Sequence, residues 1–256
     1  MLARTLPDTC LRYIHHEPGK SREVLCGGGE INQLVAKSLG VLPDNSIKLF
    51  VGVEGKHDIS FLKNISKVLR SAGVDVLDLE RMELEGELIF FPLGGSSLAL
   101  WISRLEPLCR PEFHLFDPDS KPPAVAKYQV EAEAMNKRVR CKAVITGKRE
   151  MENYVHFEAI NEAYAQQSDI ALGLTRNLRA FDDVPEKVAE IVHGISGTQK
   201  AWAELGKDIR EKKIANVKRT LNQDAVLLMT VARLEEVDPD AHIYEWFHQM
   251  KMLIDS

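Results

Sequence analysis

The sequence predicts an α/β fold in which a parallel sheet is flanked by helices and followed by a helical C-terminal region. From residue 47 onward, short apolar runs alternate with segments of helical spacing, as in strand–helix–strand units. The first run, Ile47–Val53, is almost continuously apolar, which is typical of a strand buried on both faces. Beyond about residue 156 only helical spacing remains.

Residues 1–46 precede this pattern and do not look like a complete domain. Thr9–Ile14 and Arg22–Leu25 are predicted strands, and Ile31–Leu39 has helical spacing. One hairpin and one helix cannot bury a core of their own. We therefore expect this segment to need a partner surface.

The remaining elements follow in order along the chain. We predict that Asp58 caps a helix that stops at Gly73, that Ser96 caps a second helix, and that Val125–Asn136 is helical. The four predicted strands are Ile47–Val53, Leu88–Phe91, Phe113–Phe116 and Ala143–Ile145.

Composition limits the classes of function. The 256 residues are 45% apolar and 28% charged, an ordinary globular balance. No apolar run reaches the roughly 18 residues of a membrane span, and the N-terminus lacks a signal-peptide core, so we expect a soluble cytoplasmic protein without a membrane partner. The net charge of −5 argues against a simple DNA-coating protein, but a nuclease also carries metal-binding carboxylates. The cysteines form no C-x-x-C pair and are predicted to be reduced thiols: Cys10, Cys26, Cys109 and Cys141.

Acidic side chains follow three of the predicted strands. Since the carboxyl ends of parallel strands meet at one edge of a sheet, these side chains should lie together. Magnesium is held by carboxylates, water and phosphate oxygens, and two ions need several carboxylates in one place. The residues are Glu54 and Asp58 after the first strand, Asp117 and Asp119 after the third, and Glu150 and Glu152 after the fourth.

Each pair also has an ordinary structural interpretation. Glu54 and Asp58 suit the start of a helix, where the helix dipole favours negative charge. The two aspartates around Pro118 suit a turn, and the last pair suits a solvated helix start. Only their joint position after three strands favours a metal site.

Two stretches are rich in Lys and Arg, namely residues 137–149 and 207–219, with six basic residues in each. A solvated surface explains either stretch alone. Together, and with one of them next to an acidic cluster in sequence, they favour nucleic acid as the partner.

Four motifs resemble a known family. VEGKHD, FPLGGS, FDPDS and TGKREMENY, in this order, resemble the TOPRIM module of topoisomerases, bacterial primases and the OLD (overcoming lysogenization defect) nucleases, and the LGG and KRE-x-ENY segments resemble the OLD branch in particular. The resemblance implies a TOPRIM catalytic domain over residues 45–160 and a helical C-terminal region over 161–256. Residues 1–44 would be the C-terminal end of an ABC-type ATPase domain.

The resemblance also implies a site and an activity. It assigns Glu54, Asp117, Asp119 and Glu152 to a metal centre, with Glu150 and Asp58 as further ligands and with Mg²⁺ or Mn²⁺, two ions, as cofactor. A basic residue of the helical region would complete the centre, and Lys213 and Lys218 are both candidates. Pro118 stands where the family has a basic or polar residue. The implied activity is DNA cleavage or nicking, with phage defence as the biological setting.

No G-x-x-x-x-G-K-[ST] motif is present, so we expect no ATP hydrolysis by this chain alone. Such a chain would be a truncated gene product, an expressed fragment or half of a split system. Through residues 1–40 it would bind a separate ATPase subunit or form a homo-oligomer. The alternatives to a nuclease are a non-catalytic binding or regulatory module and another TOPRIM chemistry, such as that of a primase or topoisomerase.

Overall fold

The computed structural model describes residues 12–15, 23–26, 47–93, 105, 110–118, 121, 124–197 and 200–256. The chain divides into two compact units, Met1–Lys48 and Leu49–Ser256. In the first unit, strand β1 (Arg12–His15) pairs antiparallel with β2 (Glu23–Cys26), on the two segments predicted to be strands. The helix predicted at Ile31–Leu39 lies outside the described residues.

The second unit contains a four-stranded parallel sheet in the order β4-β3-β5-β6, which confirms the predicted fold class. Each strand lies within two residues of its predicted bounds. The chain runs from β3 to β4 on one side and then returns to β5 on the other side of β3. The strand order therefore reverses between β3 and β5, and ligands of open α/β sheets bind in the crevice at the carboxyl ends of such strands. The strands are β3 (Leu49–Val53), β4 (Leu88–Pro92), β5 (Glu112–Phe116) and β6 (Cys141–Ile145).

Helices surround this sheet and form the C-terminal region. They are α1 (Lys56–Ser71), α2 (Leu79–Leu84), α3 (Gln129–Met135), α4 (Phe157–Ser168), α5 (Val184–Ile195), α6 (Lys207–Gln223), α7 (Val231–Val237) and α8 (His242–Asp255). Short 3-10 turns occupy Met151–Tyr154, Trp202–Glu204 and Ala225–Leu228. None of the described helices is long and apolar enough to cross a membrane.

The start of α1 differs from the prediction. Gly55, not Asp58, is the capping residue, and Asp58 is the third residue of the helix. The Asp58 carboxylate accepts a hydrogen bond from the backbone N–H of Gly55 at 2.8 Å, which closes the first turn from inside the helix. The end is as predicted, because Gly73 adopts a φ of +82° just after the last turn. The helix predicted after Ser96 lies outside the described residues, and α2 was not predicted.

One hydrophobic core joins the sheet to the later helices. The central strands β3 and β5 are buried along their whole length. Val217 and Leu221 of α6 and Trp246 of α8 belong to the same buried cluster as Phe61 of α1. The opposite side of the sheet packs against α3 through a smaller cluster that includes Phe116. Apolar packing therefore fixes α6 relative to the strand ends that carry the acidic residues.

Candidate metal centre

The first two acidic residues lie side by side at the point where the strand order reverses. Glu54 directly follows β3 and Asp117 directly follows β5. The backbone N–H of Asp117 donates a hydrogen bond to Glu54 Oε1 at 3.2 Å, so the two strand ends are linked. Asp117 Oδ1 is buried and accepts no hydrogen bond from the described residues.

Asp58 approaches the same place from the first turn of α1. Its side chain is almost fully buried, with 9% exposure. The pKa of Asp58 is raised to about 6, mainly by burial and to a smaller extent by the neighbouring Glu54, while the Gly55 hydrogen bond opposes the rise. Asp58 therefore closes the first turn of α1 and is also a buried carboxylate that lies near other carboxylates.

The third pair comes from the loop after β6, which hydrogen bonds hold in place. Lys148 donates from Nζ to the backbone carbonyls of Asn153, at 3.0 Å, and Val237. The Asn153 side chain donates to the carbonyls of Arg179 and Asp182 and accepts from the N–H of Glu150 at 3.2 Å. This network turns the chain so that the next carboxylates point inward.

The two glutamates of this loop are met by two residues of α6. Glu150 and Glu152 are 8% and 1% exposed. Lys218 Nζ donates to Glu150 Oε2 at 2.7 Å, and Asn222 Nδ2 donates to Glu152 Oε1 at 2.7 Å. Lys218 and Asn222 are four positions apart and so share one face of the helix. Asn222 was not predicted, and its spacing from a candidate lysine is the signal that could have found it.

The other predicted residues are placed as follows. Lys213 lies on α6 but lines a different groove, together with Tyr164 and Gln167. Of the two candidate lysines, Lys218 is therefore the one that contacts the carboxylates. The prediction for Asp119 lies outside the described residues.

Among the residues that the structure describes, five carboxylates lie close together at this centre, and Lys218 is the ammonium group that contacts them, through Glu150. Burial raises the pKa of Glu150 to about 7, and Glu152 adds to the rise while Lys218 opposes it. Burial, followed by repulsion from Asp58 and Glu54, raises the pKa of Asp117 well above its ordinary value. Burial also raises the pKa of Glu152. The fold thus holds these acids where ionisation of all of them is unfavourable.

This arrangement fits a divalent cation. Glu150 Oε1, like Asp117 Oδ1, is buried without a hydrogen-bond donor among the described residues. Buried acceptors are normally satisfied, so such atoms point to a missing positive partner. The donors are oxygen atoms of carboxylates, which Mg²⁺ and Mn²⁺ prefer.

A second group of metal-type side chains lies at the opposite, amino end of the sheet. The ligand atoms of Glu112, His114 and Cys141 are buried and lie within 4.8 Å of one another, so this group could hold a metal ion. However, the Arg138 guanidinium already donates to both oxygens of Glu112, at 2.5 and 3.2 Å. A cation would have to displace it. We therefore interpret this group as a buried ion pair, to which His114 adds a hydrogen bond of 2.9 Å. Cys141 is a buried, reduced thiol, as predicted.

The first basic stretch is partly engaged within the chain. Arg138 pairs with Glu112, Lys148 holds backbone carbonyls, and Arg149 pairs with Asp183 at 2.7 Å. Half of its six basic side chains are thus tied to internal partners. The second stretch lies on α6, and Lys218 is its member at the centre.

Several solved structures are similar to this chain. This chain is similar to the C-terminal regions of OLD proteins. The one from Xanthomonas campestris pv. campestris is 16% identical with a TM-score of 0.46, and the match covers 82% of this chain and 96% of that one. The one from Burkholderia pseudomallei is 14% identical with a TM-score of 0.46, over 81% of this chain and 98% of that one. It is the family that the sequence motifs resemble. No family model matches the chain, and no curated protein does.

Proposed function

We propose that this chain is a metal-dependent DNA endonuclease or nickase that hydrolyses phosphodiester bonds with Mg²⁺ or Mn²⁺, two ions in all. One observation carries the proposal: five carboxylates that follow three strands lie close together in the crevice where the strand order reverses, and Lys218 contacts one of them, Glu150. The proposed ligands are Glu54, Asp58, Asp117, Glu150 and Glu152, and Asp119 joins them through its place in the motif.

A phosphodiester substrate requires bound cations at this acidic centre. The carboxylates alone would repel a phosphate, so an anionic substrate needs positive charge at the centre. Divalent ions held by these carboxylates would supply that charge and would lower the pKa of a water molecule bound to them.

The chain's own residues orient the site. Burial alone would lower the pKa of Lys218, but the carboxylates of Glu152 and Glu150 outweigh it, so its pKa is raised and the ammonium group stays charged. It can stabilise negative charge on a phosphate in the transition state. Asn222 fixes the orientation of Glu152.

A topoisomerase mechanism is less well supported, because it needs a tyrosine nucleophile. Tyr154 lies two residues beyond Glu152, but its hydroxyl contacts His242 Nδ1 at 3.2 Å. Burial raises the pKa of Tyr154 far above the usual value, and its ring packs edge-on against Trp246. Tyr154 thus has a structural position and is poorly suited to attack a phosphodiester.

The test is nicking of supercoiled plasmid DNA. With Mg²⁺ or Mn²⁺ the protein should convert supercoiled plasmid to open circles, and a chelator should stop the reaction. Asp117→Ala should abolish nicking while keeping the circular dichroism spectrum, because removing one of several clustered charges relieves repulsion. Glu80→Gln, at an exposed carboxylate in the first turn of α2, is the matched control.

Two outcomes would count against the proposal. Unchanged nicking by well-folded Asp117→Ala would remove the metal-ligand assignment. Absence of metal-dependent nicking by a wild-type protein that binds Mn²⁺ in calorimetry would favour a non-catalytic binding module.

A further inference from the structure

A groove lies beside the metal centre, between the start of α1 and the C-terminal half of α6. Its volume is about 370 Å³, and no carboxylate lines it. The polar lining consists of cationic side chains, an imidazole and neutral hydrogen-bonding groups: Lys56, His57, Ser60, Asn216, Arg219 and Gln223. The groove is therefore electrostatically opposite to the acidic centre next to it.

The two cations of the groove are available to a ligand. Lys56 and Arg219 are exposed, and neither forms an ion pair with any carboxylate in the part of the chain that the structure describes. Two of the other basic residues of these helices pair with glutamates: Lys63 with Glu83 at 2.7 Å, and Lys218 with Glu150. Unpaired surface cations are common singly. These two are distinguished by lining one groove from two different helices.

The residues that line the groove are sequence neighbours of residues of the metal centre. Lys56 stands between Glu54 and Asp58 in sequence, and Arg219 directly follows Lys218. Successive residues of an α-helix point about 100° apart, so one turn can serve two neighbouring sites. Helix α6 presents Lys218 to the carboxylates and Arg219 to the groove.

We propose that this groove binds a phosphate group of the DNA backbone that flanks the scissile phosphate, with Lys56 and Arg219 as its charged ligands. Choosing DNA as the ligand rests on the proposed nuclease function. Phosphate contacts from Lys and Arg position a protein on DNA without reading its sequence. Such a contact would place the adjacent phosphodiester at the metal centre and would make cleavage independent of base identity at this contact.

The test measures DNA binding without metal, so it does not depend on catalysis. A fluorescein-labelled DNA duplex is titrated with protein in a chelator, and fluorescence anisotropy is recorded between roughly 50 and 200 mM salt. Lys56→Ala and Arg219→Ala should each raise Kd by about three- to tenfold and reduce the log–log salt slope by about 1. Ala215→Glu, which adds a carboxylate to the lining, should also weaken binding. Lys67→Ala, an exposed lysine elsewhere on α1, is the control and should bind as the wild type does.

The outcomes separate the groove from the nuclease. Wild-type binding in which both alanine variants match Lys67→Ala would overturn the groove proposal, even if plasmid nicking is observed. Weaker binding by the variants with no nicking by the wild type would support the groove and contradict the nuclease.

Discussion

Asp58→Asn should make the metal-free protein more stable, although it alters a proposed ligand. Asp58 is buried beside Glu54, and Lys218 and the Gly55 N–H offset only part of the cost of burying its charge. Asparagine has nearly the same shape and keeps an oxygen that can accept the hydrogen bond of the Gly55 N–H. The substitution therefore removes the charge and leaves the start of α1 in place.

The size of the effect follows from the pKa of Asp58, which rises from 3.8 to about 6. One pKa unit corresponds to about 1.4 kcal/mol, so a shift of about two units makes the ionised folded form roughly 3 kcal/mol less stable relative to the unfolded chain. Burial of the neutral amide and its weaker hydrogen bond offset part of this gain. We expect Asp58→Asn to raise the free energy of unfolding by about 1–2 kcal/mol.

The direction of the Asp58 pKa shift determines the pH range over which the stability of the wild type changes. Because the folded protein binds this proton more tightly than the unfolded chain, wild-type stability falls as pH rises from about 4 to about 6 and stays low above that range. Below about pH 4 the carboxyl group is protonated in both states. The advantage of the variant should thus be complete near pH 8 and small near pH 4.

The assay is urea unfolding followed by circular dichroism in a chelator, at both ends of this window. If the free energy of unfolding depends equally steeply on urea concentration in the two proteins, their midpoint urea concentrations can be compared directly. Glu80→Gln is the control, and its effect should stay within about 0.5 kcal/mol. A variant that is no more stable than the wild type near pH 8 would refute the idea that the charge of Asp58 destabilises the fold.

Three further predictions concern the same unit. Lys218→Met should lower the free energy of unfolding in a chelator by about 1–3 kcal/mol, because it removes the counter-charge of the carboxylates, and Mn²⁺ should restore part of the loss in thermal melts. If Mn²⁺ stabilised this variant no more than it stabilises Asp117→Ala, the proposed metal ligands would be in doubt. Gly147→Ala should lower the melting temperature and slow nicking, because the added Cβ would lie 2.3 Å from the His242 ring. Adding His242→Ala to this variant should recover stability. A Gly147→Ala protein with a normal melting curve would contradict this packing. Deletion of residues 1–40 should leave a folded protein by circular dichroism, because Leu49–Ser256 is a compact unit, and should reduce any self-association seen by light scattering. A deletion variant that fails to fold, or a full-length chain that is already a monodisperse monomer, would count against that boundary or that association.

The sheet and its acidic edge were predictable from the sequence because their signals are local. A strand buried on both faces is a continuous apolar run, and the residue after it lies at the sheet edge whatever the later chain does. Glu54 and Asp117 could therefore be placed together before the structure. The misplaced start of α1 has a local cause as well, because an aspartate serves equally well at the cap or as the third residue of a helix.

The choice between Lys213 and Lys218 could not be made from the sequence. The apolar stripe of α6 runs through Ile214, Val217 and Leu221. At 100° per residue the two lysines lie about 70° to either side of this stripe, so helical spacing treats them alike. The residues that pack beside each lysine determine which one reaches the carboxylates, and Glu150, the partner of Lys218, is 68 positions away in sequence. Contacts over such distances depend on tertiary packing, which no local pattern encodes.

The contacts of Lys218 and Asn222 with the two glutamates also affect where the chain can be divided into domains. The predicted boundary at residue 160 lies between the carboxylates and the two α6 residues that contact them, Lys218 and Asn222. These contacts and a shared apolar core both cross it, since Val217 and Leu221 belong to the cluster that buries Phe61. A sheet with its acidic edge but without α6 would hold repelling carboxylates and lose its ammonium counter-charge. The helical region is thus part of the centre itself, because it supplies the positive charge that lets the acidic residues be buried together.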